Sequence, residues 1–249
     1  MAGHSKWANI KHRKSRQDAA RGRLFAKLAK AIEVAAREGG GNPDFNPTLA
    51  TAIDKAKNAS MPNDNIDRAI KRGTGEVEGA VYEEIWYEGY GPGGVALYVQ
   101  ILTDNRNRAV SDVRSTFTRF DGNLGEPGSV AYLFHQKGVV LAKASEDEVM
   151  MAALEAGAED IRDGGEGLFE VISEPSDLHR TRDVIRKAGI EVESADIVQL
   201  PLTTVPVEEK EAKKLLRLID GLDDLDDVQT VYSNYDIEDS VMEKVLAEA

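Results

Sequence analysis

The pattern of apolar residues changes once along this chain, at Gly75. Before it, apolar side chains recur at three- and four-residue spacing, as on the buried face of a helix; after it, β-branched and aromatic runs alternate with helical stretches. A chain written in these two patterns folds as a helical unit followed by α+β structure. Leu24, Phe25, Leu28, Ile32, Ala35 and Ala36 mark one face of a helix over about residues 15–38, stopped by Gly39, Gly40 and Gly41. Asn46-Pro47 opens a second helix with Leu49, Ile53 and Ala56 inward. Pro62 opens a third with Ile66, Ala69 and Ile70, ended by Gly73.

Past Gly75, residues 81–88 and 95–102 read as strands joined through Gly89-Tyr90-Gly91-Pro92-Gly93-Gly94. A helix over 106–120 follows, capped by Thr103, Asp104 or Asn105, then a glycine-rich turn at 121–125 and a strand at 129–134. From Gly138 the order is strand, helix (146–156), strand (158–162), strand (168–172), helix (176–188), strand (191–200), the β-α-β-β-α-β order of a ferredoxin-like unit. A helix at 208–220, a strand at 228–234 and a helix from Ile237 remain. They are too little for a domain and complete the unfinished unit of residues 77–134. The predicted fold class is therefore α+β with three domains: a helical bundle over 1–76, then two ferredoxin-like-type α+β domains, the first discontinuous (77–134 plus 201–249) and the second inserted into it (135–200).

Charge divides at the same place. The chain is acidic, with 31 Lys plus Arg against 44 Asp plus Glu, yet residues 1–76 hold 15 of those cations and only 8 of the acids. Nine of the basic residues, against Asp18 alone, lie in the first 30 positions. A basic module on an acidic chain is the footprint of a polyanion-binding surface. At ~100° per residue, Arg16, Arg23, Lys27, Lys30 and Arg37 fall on one stripe of the first helix, opposite Leu28 and Ile32. Ahead of it, Lys6, Trp7, Lys11, His12, Arg13 and Lys14 interleave cations, imidazole and one indole, a mixture that holds phosphates while stacking on a base. Trp7 reads equally well as a hydrophobic plug for the arm. Arg106 and Arg108, at a helix start with two or three amide donors, read equally well as a second candidate phosphate contact or as an ordinary exposed helix side.

Other chemistries find no support in the sequence. Zero cysteines exclude disulfides, thiolate metal sites and cysteine nucleophiles. Gly89, Gly91 and Gly94 fit the letters of a dinucleotide fingerprint, but a strand rather than a helix follows, so a hairpin turn is expected. The four histidines lack metal-ligand spacing, and Asp223, Asp224, Asp226 and Asp227 read as a solvated turn after Gly221. No metal, no cofactor and no catalytic residue is expected, and no apolar run approaches the ~20 residues of a membrane span. Residues 1–38 are Arg-rich in the manner of a mitochondrial presequence, but the caps and partner helices that follow favour a folded domain.

The opening run Met1–Lys14, MAGHSKWANIKHRK, resembles the start of the YebC/PmpR family, which includes the mitochondrial translational activator of cytochrome oxidase subunit one. Residues 35–40 (AAREGG), 61–66 (MPNDNI), 103–108 (TDNRNR) and 122–125 (GNLG) are similar to further family signatures in the same order. The resemblance implies a helical domain followed by two α+β domains, the first of them discontinuous. It also implies a cytoplasmic, non-enzymatic, DNA-binding transcriptional regulator, with DNA and the transcription machinery as partners. The alternative it carries is a ribosome-associated translation factor that binds ribosomal RNA and assists synthesis of stretches such as proline runs. Family members often carry arginines where this chain has Thr48 and Ala50, so the resemblance does not extend a phosphate contact to the second helix.

Overall fold

The computed structural model describes residues 21–165 and 167–247. Its first three helices, α1 (Arg21–Gly39), α2 (Pro47–Asn58) and α3 (Asn63–Gly73), bury Ile32, Ala35, Leu49, Ala56, Ile66 and Ala69 in a common core. The buried Asn46 side chain joins two of them. Its carbonyl accepts the Leu49 N–H at 3.1 Å as a helix cap, while its amide donates to the carbonyls of Ala35 and Gly40 at 2.8 Å each. Helix α3 crosses α1 at Gly73, where a Cβ would stand 2.5 Å from the Glu33 carbonyl and 2.7 Å from Ala36. Only glycine permits that approach.

The next sheet is antiparallel, in the order β3 (Asn123–Leu124), β1 (Glu83–Tyr90), β2 (Ala96–Thr103), β9 (Val228–Ser233). Strand β9 arrives from the far end of the chain, so this domain is discontinuous. Helices α4 (Arg106–Arg119), α7 (Glu209–Asp223) and α8 (Asp239–Ala247) cover one face, burying Leu97, Val99 and Ile101 against Val113, Phe117 and Leu218. On the other face Trp86, Tyr98 and Tyr232 stack half-buried, with ring centroids 4.4 Å and 6.0 Å from Trp86. The glycine-rich link between β1 and β2 is the hairpin turn expected, with Gly93 and Gly94 at φ of 75° and 74°.

Within this domain the sequence misplaces the third strand. Residues 129–134 do not form a strand: Ala131–Leu133 is a single 3-10 turn, and the third strand is Asn123–Leu124, read above as part of a turn. The cause is the buried Glu88 carboxylate, which accepts the N–H groups of Gly128, Val130 and Ala131 at 2.7, 2.5 and 2.8 Å. Amides held by a carboxylate are not available to a ladder. Gly89 lets β3 pair instead, since a Cβ there would lie 2.6 Å from the Asn123 carbonyl.

The inserted sheet runs β5 (Asp160–Gly165), β6 (Leu168–Ser173), β4 (Phe134–Lys143), β7 (Glu191–Pro201), antiparallel throughout. With α5 (Glu146–Ala156) and α6 (Leu178–Lys187) packed over Val140, Phe169 and Val171, it is the β-α-β-β-α-β unit expected, with β4 beginning at Phe134 rather than Gly138. A short parallel pair that the sequence did not reveal, β8 (Val205–Pro206) with β10 (Tyr235–Asp236), ties the returning chain to the end of the first sheet. The protein is thus α+β with three domains, a helical bundle and two α+β units.

Candidate nucleic-acid interface

The basic stripe of α1 does face away from the helical core, and it faces another part of the same chain. Lys27 Nζ donates to the Asp223 carbonyl at 2.5 Å, Lys30 Nζ donates to the Asp226 carbonyl at 2.9 Å and to Asp227 Oδ1 at 2.8 Å, and Arg23 pairs with Asp224 at 3.3 Å. Three cations at positions i, i+4 and i+7 of one helix therefore meet four of the five residues Asp223–Asp227, at and just beyond the end of another. Helix α7 ends at Asp223 with no basic residue in its last turn, so its C-terminal carbonyls lack a cation of their own. Lys27 of α1 supplies it, at the end of α7 where the helix dipole is negative.

Two expectations are corrected here. The run Asp223–Asp227 is a turn but is solvated only in part: Asp226 is exposed, whereas Asp227 is only 6% exposed. Nor does Gly221 end its helix; it lies inside α7, and a Cβ there would come within 2.7 Å of the Phe120 ring at the end of α4. The glycine serves a close approach between helices rather than a stop.

Asp227 is the centre of the arrangement. Its carboxylate accepts from Thr103 Oγ1 at 2.9 Å, from Arg108 at 2.7 and 3.2 Å, and from Lys30. Burial opposes its ionisation, but the hydrogen bonds from Lys30, Arg108 and Thr103 outweigh burial and hold its carboxyl below the ordinary aspartate value. The bonds to Asp227 and then to Asp104, the latter at 2.8 Å, push the Arg108 guanidinium upward in turn. The stripe and the Arg108 site, two separate expectations from the sequence, thus share one carboxylate. A cavity of about 360 Å³ opens beside it, between Arg23, Arg108, Asp112, Asp224 and Asp226.

The remaining expected residues are scattered. Arg37 donates to the Ala80 carbonyl at 3.0 Å, where the chain leaves the helical domain. Arg106 is 69% exposed and stands 3.9 Å from Glu83, away from Asp227. Lys6, Trp7, Lys11, His12, Arg13, Lys14 and Arg16 lie outside the described residues. Exposed Lys57, Arg68 and Lys71 on α2 and α3, which sequence reasoning passed over, add cations to the outer side of the helical domain. Sequence reasoning also missed Asp227 and Thr103. The available signal was complementarity: four aspartates in five residues, opposite in sign to the α1 row.

Among the described residues no three His, Asp or Glu side chains gather as metal ligands, and no helix is long and apolar enough to cross a membrane.

Comparison with known proteins places the chain. Residues 5–76 match the family model of the TACO1/YebC N-terminal domain, and residues 82–235 match that of the TACO1/YebC second and third domains. A probable transcriptional regulatory protein of Acidothermus cellulolyticus is 58% identical over 98% of this chain and 100% of its own length. Another with that description, from Halothermothrix orenii, is 53% identical over 100% of both. The crystal structure of a conserved hypothetical protein from Aquifex aeolicus superposes with a TM-score of 0.85 at 48% identity, covering 94% of this chain and 98% of the other. The domain order, the discontinuous sheet and the full-length matches together make this chain a member of the TACO1/YebC family, a regulatory family.

Proposed function

We propose that the chain is a DNA-binding regulator of transcription, cytoplasmic and without catalytic function, whose helical domain meets the phosphate backbone. The observation that carries this is the cation row of α1: Arg23, Lys27 and Lys30 on one helical face, in the basic domain of an otherwise acidic chain. Phosphate contacts of this kind position a protein without reading sequence. The description shared by the full-length relatives supports the regulatory half of the reading.

The row also sets the test. Lys30 stays in place because its side chain is only 15% exposed and is bonded to Asp227, so its replacement would also disturb the fold. Changing Arg23 and Lys27 to Gln removes up to two counterion-releasing groups, so the slope of log affinity against log salt on duplex DNA should fall by ~0.9 for each phosphate no longer neutralised. An unchanged slope in the folded double variant contradicts α1 as the binding face. Cosedimentation with ribosomes, without enrichment on DNA in the same cells, contradicts DNA as the target.

A further inference from the structure

The groups that make α1 a phosphate-binding surface are occupied. Lys30 is held by a carbonyl and a buried carboxylate, Lys27 by the last carbonyl of α7, and Arg23 by a half-exposed carboxylate. From Arg23 to Lys30 is seven residues, ~10.5 Å of helix axis. Over that length the Asp223–Asp227 segment sets two carboxylates and two carbonyl oxygens against three cations. A DNA duplex offers one negative charge per ~1.7 Å of its axis, a similar series of anionic oxygens. The two cannot occupy the row together, because Lys30 reaches a phosphate only if the turn withdraws.

We propose that the Asp223–Asp227 turn is an internal polyanion that masks the cation row of α1, so that nucleic acid and the turn compete for the same ammonium and guanidinium groups. The inference rests on the reading of α1 as a phosphate-binding face and adds the regulation of that face. Binding then selects chains in which the helical domain has lifted from α7, and the measured affinity is the intrinsic one reduced by the open fraction. The partition between the two pairs makes opening feasible. Arg23–Asp224, with side chains 48% and 41% exposed, is a surface pair of small worth, whereas Lys30–Asp227 is largely enclosed. A ligand that first displaces Asp224 from Arg23 gains a foothold before the enclosed pair is exposed.

The chain contains no cysteine, so a pair introduced by Arg23→Cys and Asp224→Cys is the only pair of thiols in the molecule. Joined with a short bismaleimide, this variant holds the turn on α1; left unjoined, the same variant opens freely. The full-length protein is titrated with a short mixed-sequence DNA duplex before and after joining, and a second variant, Asp224→Asn with Asp226→Asn, weakens the turn while leaving Asp227 in place. The expected result is at least a ~10-fold loss of affinity on joining, and a several-fold gain in the Asn variant. Joined and unjoined protein binding equally well, with the Asn variant like the parent, overturns the masking while leaving the phosphate-binding reading intact. No binding by the parent, the unjoined pair and the Asn variant overturns both.

Discussion

The helical domain touches the rest of the protein at two junctions, and they are built differently. At the α1 junction three cations engage one turn, and a nearly buried carboxylate gathers Lys30, Arg108 and Thr103 from three separate elements. At the α2 junction two separate pairs reach the inserted domain: Lys55 to Asp196 at 2.8 Å, and Arg182, which also pairs with Asp183, to Asp54 at 3.4 Å. There the α2 partners, Lys55 and Asp54, are about half exposed, while Asp196 and Arg182 are largely enclosed. Charges of one type are therefore worth different amounts at the two places. A shared, enclosed acceptor is costly to remove because its loss takes a partner from three donors at once, whereas a half-exposed pair is partly screened and partly replaceable by water. The α1 junction is therefore expected to set the position of the domain and the α2 junction to follow it.

The largest effect that separates them is expected from Asp227→Ala. It takes their common acceptor from the Lys30 ammonium, the Arg108 guanidinium and the Thr103 hydroxyl, and although Lys30 keeps the Asp226 carbonyl and Arg108 keeps Asp104, the loss should reach ~2–3 kcal/mol in urea unfolding. A loss under ~1 kcal/mol would make the two junctions equivalent.

Acid should distinguish them next. The Asp227 carboxyl titrates below its ordinary value, so its contribution is complete above the unfolded aspartate value of ~3.9 and is lost as pH falls through the lower folded value. The α1 junction should accordingly hold from neutrality down to about pH 4 and open only beneath it. Tryptophan fluorescence against pH, compared between the parent and Asp227→Asn, checks this: the acid transition should be present in the parent and largely absent in the variant.

The smallest effect is expected at the other junction. Asp54→Ala should cost no more than ~1 kcal/mol in the same unfolding experiment, because Asp54 is half exposed and Arg182 keeps Asp183 at 2.9 Å. A cost matching that of Asp227→Ala would mean that the α2 pairs position the domain as strongly as the α1 junction does.

Much of this architecture is legible in the chain because it is periodic. The cores of α1 to α3, the hairpin through Gly93 and Gly94 and the inserted β-α-β-β-α-β unit follow from spacing that repeats within one element. The third strand of the first sheet did not follow, because its place depends on Glu88 capturing amides 40 to 43 residues away and on Gly89 making room for Asn123. The site divides along the same line. Periodicity shows that Arg23, Lys27 and Lys30 share a face turned from the helical core, but not what that face meets. Its partner lies 196 residues on, and only the charge of the aspartate run hinted at it. Gly221 misled for a related reason, since a glycine stop and a glycine kept for a passing ring look alike in a sequence.

If the row on α1 rests on the end of α7 until a polyanion takes its place, the two helices must part when DNA binds. Gly22 and Arg217 are both exposed, one on each of these helices, and a Cβ at Gly22 meets nothing within 4 Å. In a chain with no native cysteine, Gly22→Cys with Arg217→Cys carries two spin labels and nothing else labels. Pulsed electron resonance on the free protein should give one short, narrow distance distribution, which shifts to longer and broader distances as duplex DNA saturates it. A distribution that stays short and narrow with the duplex fully bound would contradict the masking of α1 by α7.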